Sequence, residues 1–393
     1  MTKPLYEVAH IIRDNWNEIC HSAKINSHQI RMLNALKICR TVNLGWHIDK
    51  CNNRSCDHLQ ISYNSCRNRH CPKCQGKHRE DWINKQYKKL LPVKYFHVVF
   101  TLPHQLNKLC LHQPKMMYSI LFRAAWDTIN TFALDPKHLG AQTGMTCILH
   151  TWGQNLSLHP HLHCIIPAGG INKKGKWKST KSKGKYLFPV KALSSVFRAK
   201  YVHLLRKLSV ANNVVIDQSI YDQLFQKNWV IYAKQPFLGP RQIIEYIGRY
   251  SHKIAISNHR IISTKNNQVQ FKYKDYRHQG KNKIMTLGPL EFIRRFALHI
   301  LPLRFVRIRH YGLFNGRYKM STQEIVQAIE KNNTDIENIK IIIPIKAKDD
   351  NIHYPKCPKC QKGAMIIMAF GQGRDPPTNL NNFRKKTSST KVS

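Results

Sequence analysis

The stretch HPHLH, His159 to His163, places three histidines at alternate positions of an apolar run, LHTWGQNLSLHPHLHCIIPAGG. On a β-strand alternate side chains share a face, so His161 and His163 would stand about 7 Å apart on one side and could share a divalent ion, Mg2+ or Mn2+. An HxH pair alone is a weak signal; its surroundings sharpen it. No Asp or Glu occurs between Asp135 and Asp217, so a carboxylate cluster is not available here. The ion would be completed by an amide, another histidine, water or the substrate. Gln154, on the neighbouring arm of the same hairpin, is the candidate third ligand, or else a polar side chain flanking the turn. His159 precedes Pro160, which is expected to interrupt the strand, and so reads as a supporting or phosphate-contacting residue.

Downstream, RQIIEYIGRYSHKIAISNHR carries Tyr246 and Tyr250 four residues apart, with Arg249, His252 and Lys253 beside them. On a helix that spacing puts both phenols on one face. Such pairs serve packing or chemistry, and next to a metal-bound phosphodiester a phenol is a credible nucleophile. Its ordinary pKa of about 10 would have to be offset by the nearby cation. The product, a phosphotyrosine, conserves the bond energy, so a cut strand can be rejoined.

A third constellation is CNNRSCDHLQISYNSCRNRHCPKC, with Cys51-x4-Cys56 and Cys71-x2-Cys74. Two close thiol pairs separated by a loop are what a tetrahedral structural Zn2+ requires. Cys51, Cys56, Cys71 and Cys74 are the expected ligands; replacement of one by Cys66 or His70, and a second zinc, remain open. The absence of an export-like N-terminus favours metal ligation in a reducing cytoplasm over disulfides. A separate CPKC, Cys357 and Cys360, reads as half a knuckle without its other half, hence as a remnant or an oligomer contact.

Sixty-four Lys and Arg oppose 21 Asp and Glu, a formal charge of +43. So large an excess needs a polyanion, which makes nucleic acid the leading partner. No apolar run approaches the roughly 18 residues of a membrane-spanning helix, so a membrane is not expected as a partner. Arg67 and Arg69 flank the cysteines and are expected to touch phosphate. NKKGKWKSTKSKGKYLF interleaves seven lysines with aromatics; Lys176, Trp177 and Lys178 would track and stack on single-stranded DNA, or form a solvated hairpin tip. Arg249, Lys253, Arg307 and Arg309 are further expected contacts.

The elements that must position these groups are legible as a coarse plan. Val8, Ile11, Ile12, Trp16 and Ile19 share a helical face, and Ile30, Leu33, Leu36 and Ile38 suggest a second helix. KHREDWINKQYKKLLPV reads as a basic helix ending at Pro92. KYFHVVFTLP, MTCILHTWG and HLHCIIPAGG read as strands, MYSILFRAAWDTINTFAL and VKALSSVFRAKYVHLLRKL as helices. The mixture predicts an α+β fold with an antiparallel sheet and helices packed on it. The expected order is a helical region (1–45), a zinc-binding domain (46–92), a catalytic domain (93–320) and a C-terminal extension (321–393) with a disordered tail.

Five blocks, ISYNSCRNRHCPKCQ, KYFHVVFTLPHQLN, HTWGQNLSLHPHLHCIIPAGG, EYIGRYSHKIAISNHRI and EFIRRFALHILPLRFVRIRHYG, resemble in order those of the IS91-type rolling-circle transposases. The resemblance runs from about residue 30 to 320. It implies a catalytic domain of the HUH class behind an N-terminal zinc domain, in a bacterial cytoplasmic, nucleoid-associated protein. It implies nicking and joining of single-stranded DNA at the hairpin ends of a mobile element and at target DNA. His161 and His163 match the motif histidines, and Tyr246 and Tyr250 the two tyrosines. The Cys51-x4-Cys56 spacing is longer than in many relatives, which bears on the ligand set. Rival readings are a plasmid or phage replication initiator or relaxase, although the chain has no P-loop of a relaxase helicase, and a zinc-dependent DNA-binding regulator without catalysis.

Overall fold

Hydrophobic periodicity is realised from the first turn onward. The computed structural model describes residues 4–74, 83, 90–181, 187–237, 254–332, 355–372 and 380. Val8, Ile11, Ile12 and Ile19 are buried together, but on two short helices, Val8–Asp14 and Trp16–Cys20. The break falls at Asn15, whose side-chain amide donates back to the Ile11 carbonyl at 2.8 Å, the local competition that keeps Asn out of helix interiors. Ser27–Lys37 follows, started by a capping box in which Asn26 accepts from the Gln29 amide and Gln29 from that of Asn26, each at 2.9 Å.

Next come β1 (Trp46–Cys51) and β2 (Leu59–Tyr63), then β3 (Tyr95–Thr101), the long helix Pro114–Leu134, β4 (Gly144–Trp152) and β5 (Leu158–Pro167). The short pair β6 (Gly169–Ile171) and β7 (Trp177–Ser179) precedes the helices Val190–Ala211 and Gln218–Gln226. β8 (Ile231–Phe237), β9 (Ile261–Ser263), β10 (Val269–Asp275) and β11 (Lys281–Leu287) lead to the helix Pro289–Ala297. β12 (Ile308–Gly312), the helix Thr322–Asn332 and β13 (Met365–Gly371) are the last described elements. Most of the basic helix expected before Pro92, the apolar run IKIIIPI and the tail lie outside the described residues.

The fold is α+β, as expected. Its centre is a five-stranded sheet in the order β12-β4-β5-β3-β8, antiparallel at every step. Alternation assigns the two faces. Met145, Cys147 and Leu149 of β4, Leu162, Cys164 and Ile166 of β5, and Phe96, Val98 and Phe100 of β3 bury against the helices Pro114–Leu134 and Val190–Ala211 in the main core. Burying each such aliphatic or aromatic side chain contributes about 1.5–3 kcal/mol, so this face fixes the register of the sheet.

The opposite face is covered in two parts. Toward one end, Tyr95, Ile148 and Ile165 pack with Trp177, Leu313 and the helix Thr322–Asn332. Toward the other, Trp152 joins a core built from the N-terminal helices, the β9–β11 sheet and the helix Pro289–Ala297. The histidines lie between these two cores.

Candidate active site

β4 and β5 form a hairpin whose register sets His150 directly opposite His161 and Ile148 opposite His163. His150, His161 and His163 therefore share one face, and their candidate ligand nitrogens all lie within 4.8 Å of one another. The ring centroids are 4.5 Å apart for His150 and His163, 5.0 Å for His161 and His163, and 5.4 Å for His150 and His161. His150 and His163 are buried, while His161 is half-buried and gives the cluster its accessible edge.

Strand β5 continues through Pro160 rather than ending there, a correction to the expected interruption. Between the pairs Trp152–Leu158 and His150–His161, β4 advances two residues and β5 three. Pro160 thus sits in a bulge, a position where a missing N–H costs no ladder bond. His159 lies outside the three-histidine group and is exposed. Its carbonyl faces His161 Nδ1 at 2.6 Å, so Nδ1 carries the proton and donates, leaving Nε2 as the ligand nitrogen.

His163 is oriented from the other side. Its Nδ1 is 2.9 Å from Nε2 of buried His97 on β3. The two rings are nearly parallel, 7° apart, with centroids 5.1 Å apart; with the nitrogens so close, they meet edge to edge in a common plane rather than stacking face to face. For His163 Nε2 to act as a ligand, Nδ1–H must donate to His97. His150 stacks on Trp152 at 4.5 Å. The hairpin tip is held from outside, Arg260 donating to the Gln154 carbonyl and Arg295 to that of Asn155. Buried His299 faces the Leu156 carbonyl through Nε2 at 3.2 Å and the Thr151 hydroxyl through Nδ1 at 3.2 Å. Burial lowers the His299 pKa to about 4, so it is the neutral ring that holds the tip.

Gln154, the expected third ligand, belongs to the turn that follows Trp152 and contributes its carbonyl to Arg260. The third imidazole comes instead from His150, which sequence reasoning did not single out. Its signal was present in ILHTW, one cross-strand step from HPHLH. The three-imidazole set, with no carboxylate in the cluster, suits borderline first-row ions better than Mg2+, which prefers oxygen ligands and retains water.

The expected zinc set is corrected: its four cysteines do not converge. Cys71 and Cys74 join Cys39 and Cys66, whereas Cys51 and Cys56 join Cys357 and Cys360. The reason is the sheet. β1 carries Cys51 away from the Cys71 knuckle and pairs antiparallel with β13, directly after the C-terminal CPKC. In the first group the Sγ separations are 3.6 Å for Cys39–Cys74, Cys66–Cys74 and Cys39–Cys71. A tetrahedron with Zn–S of about 2.3 Å has edges of about 3.8 Å, so this thiol set fits zinc. Cys39 follows the helix Ser27–Lys37 and had no recognisable motif partner. The C-terminal pair is not a half knuckle lacking its complement.

The comparisons with known proteins agree with this architecture. Residues 11–102 match a family model described as "Transposase zinc-binding domain" and residues 144–322 one described as "Putative transposase". "Putative transposase y4qJ" of Sinorhizobium fredii is 38% identical over 377 residues, 90% of this chain and 92% of the relative. The chain belongs to the IS91-type transposase family. "Transposase for insertion sequence element IS801" of Pseudomonas savastanoi pv. phaseolicola is 28% identical over 318 residues, 77% of this chain and 74% of that one. No solved structure matches.

In this transposase the expected DNA contacts divide sharply. Arg67 and Lys176 are exposed, and Lys178 is half-buried. Arg69 is committed to the protein: its guanidinium donates to the carbonyls of Pro302 and Phe305, and burial lowers its pKa. Arg307 lies beside it, its pKa lowered to about 10 by burial and then by Arg69; with His70, Trp152 and His299 it lines a small cavity. Arg309 stacks over Phe122 at 4.3 Å. Trp177 is buried at 5% exposure, so it packs rather than stacking on bases. These four side chains make intramolecular contacts for one reason: a long cation or an indole can serve the core as readily as the solvent. Tyr246, Tyr250, Arg249 and Lys253 lie outside the described residues. No described helix is long and apolar enough to cross a membrane.

Proposed function

We propose that this transposase nicks and rejoins single-stranded DNA at the ends of its element through a 5′-phosphotyrosine intermediate, driving rolling-circle-like transposition. The observation that carries the reading is the cluster of His150, His161 and His163, with two of its rings held through Nδ1 by protein partners and so oriented to present Nε2. When bound, a divalent ion there supplies charge stabilisation to a phosphodiester. The donor set favours Mn2+ over Mg2+. The nucleophile is the phenol oxygen of Tyr246 or Tyr250. It attacks phosphorus, the P–O3′ bond breaks, the departing 3′ oxygen gains a proton, and the 5′ phosphate stays on the enzyme until another 3′-hydroxyl reverses the step.

Chain connectivity supports this choice. The tyrosines lie between β8, which leaves the sheet at Phe237 beside Tyr95, and Ile254, which lines the cavity with Trp152. Both of these ends flank the face that bears the histidines. Tyr232 is a described alternative. It pairs with Val99 on that same face and is 56% exposed. The zinc of the N-terminal domain is held by Cys39, Cys66, Cys71 and Cys74 in this reading. Exposed Arg67 and Lys176 contact phosphate, and single-stranded hairpin ends and target DNA are the substrates.

The test is incubation with single-stranded oligonucleotides from the element's ends and Mn2+, followed by denaturing electrophoresis. A covalent protein–DNA adduct is expected from the wild type and from Tyr232→Phe, and none from Tyr246→Phe combined with Tyr250→Phe. An adduct that survives the double substitution but is lost with Tyr232→Phe would move the nucleophile to β8. Absence of any adduct with cognate ends would favour a DNA-binding protein without strand chemistry.

A further inference from the structure

We infer that Cys51, Cys56, Cys357 and Cys360 form a second tetrathiolate zinc site, which fastens the C-terminal strand to the N-terminal sheet. The four Sγ atoms lie within 4.8 Å of one another. Cys51 and Cys360 are 3.6 Å apart, and Cys56 and Cys357 are 3.8 Å apart. Those separations match the roughly 3.8 Å edge of a zinc–thiolate tetrahedron and exceed by far the roughly 2.05 Å of a disulfide.

The two knuckles are built to present thiolates. On the C-terminal one, the Gly363 amide donates to Cys360 Sγ at 3.4 Å, Cys357 N–H donates to the Gly363 carbonyl at 2.7 Å, and Gln361 N–H closes the turn onto the Cys357 carbonyl at 3.0 Å. Gly363 has no substitute, because a Cβ there would come within 2.4 Å of Cys51 Sγ. On the N-terminal knuckle, Asn53 Nδ2 reaches Cys360 at 3.8 Å, and Asn52 Oδ1 accepts from the Ala364 amide at 2.7 Å. Polar contacts thus cross between residues 307 and 312 positions apart in the chain.

Beyond the β1–β13 ladder, apolar packing at this corner is slight among the described residues. The buried cluster consists of Cys51, Cys56, Cys357 and Met365, with Cys360 packed against it. One methionine offers scant apolar area, so four thiols brought together here have no packing reason to be cysteines. A zinc ion with four thiolates carries a net charge of −2, and the exposed Arg54, Lys356, Lys359 and Lys362 on the same turns offset it. The metal would also reinforce the pairing of β13 with β1, whose register shifts by one residue between Ile48 and Asp49 before it reaches Cys51–Met365, despite the long closure.

The experiment is zinc quantification by mass spectrometry on the full-length chain purified under reducing conditions. Cys357→Ser with Cys360→Ser should lose one zinc per chain relative to the wild type. Cys39→Ser with Cys74→Ser should lose a different one, Cys360→His should retain the wild-type content, and exposed Cys20→Ser should change nothing. Unchanged zinc in the Cys357/Cys360 double variant overturns the proposal. If that variant cannot be purified, cobalt reconstitution of the wild type decides. Thiolate-to-cobalt charge-transfer absorbance for two tetrathiolate ions per chain supports the second site, and absorbance for one overturns it. The histidine cluster gives no such band.

Discussion

His97 touches no substrate in this arrangement, yet it should set how tightly the histidine cluster holds its ion. Its Nε2 lies 2.9 Å from His163 Nδ1, and both rings are buried. Once an ion sits on the far nitrogen of His163, the Nδ1–H becomes a stronger donor and the bond is charge-assisted, worth about 1.5–3 kcal/mol. Loss of such an outer partner typically costs 10–100-fold in metal affinity, or about 1.4–2.8 kcal/mol. The two routes agree. His97→Phe keeps a ring of similar width but offers no acceptor, so His163 would lose the His97 partner that its buried Nδ1 faces. The half-saturating Mn2+ concentration for adduct formation should rise 10–100-fold. His97→Gln, which restores an acceptor, should recover part of the loss. Thermal midpoint and metal-free DNA binding, measured alongside, separate positioning from packing: a purely structural residue would shift the midpoint and leave half-saturation alone. If His97→Phe stays within about twofold of the wild type in Mn2+ dependence, the proton assignment across His97 and His163 is wrong.

His150→Ala should raise half-saturating Mn2+ by more than the His97 substitution does, while Gln154→Ala should have a much smaller effect; the reverse order would return the third ligand to the turn. Neighbouring arginines should behave oppositely. Arg69→Ala removes two hydrogen bonds to the Pro302 and Phe305 carbonyls and should lower stability by about 1–3 kcal/mol in denaturant titration, whereas exposed Arg67→Ala should leave stability unchanged and flatten the salt dependence of DNA binding by about one counterion. His299 should make stability pH-dependent. Its folded pKa of about 4 lies below the ordinary 6.5, so between these values the unfolded chain binds the proton and the folded one does not. The contribution is complete above about pH 6.5 and is lost as pH falls toward 4, at most about 3 kcal/mol. Comparing denaturation midpoints of wild type and His299→Gln across that window tests the sign, since a wild type that gains stability relative to the variant on acidification would contradict it.

What could be read ahead of the structure was whatever short spacing determines. HxH on a strand puts His161 and His163 on one face regardless of context, and CxxC makes a knuckle wherever it falls. The hairpin itself was also legible, because β-branched and apolar runs flank a polar turn. What each pair meets is decided elsewhere. His150 joins His161 because a bulge at Pro160 fixes the β4–β5 register, and a shift of one residue would have turned it to the helix-covered face. Cys51 and Cys56 find Cys357 and Cys360 because β13 pairs with β1 across almost the whole chain, a contact that no local pattern encodes.

The basic residues show the same limit in electrostatic form. A charge of +43 argues for a polyanion, but a sum cannot tell an arginine that waits for phosphate from one that already serves backbone carbonyls. Arg69 reaches acceptors in the loop before β12, and Arg309 lies across Phe122 and Phe305; both would count equally in any tally of cations. Trp177 is the aromatic counterpart. Set among lysines, it suggested a stacking platform, yet Gly169, diagonal to it across the β6–β7 pair, has no Cβ, and one placed there would fall 2.5 Å from the indole. That space lets the ring fold onto its own hairpin and into the core. The exposed cations Arg67, Lys173, Lys174 and Lys176 are therefore the ones left with heads in solvent for a phosphate to meet, and His161 is the member of the histidine cluster that solvent most readily approaches.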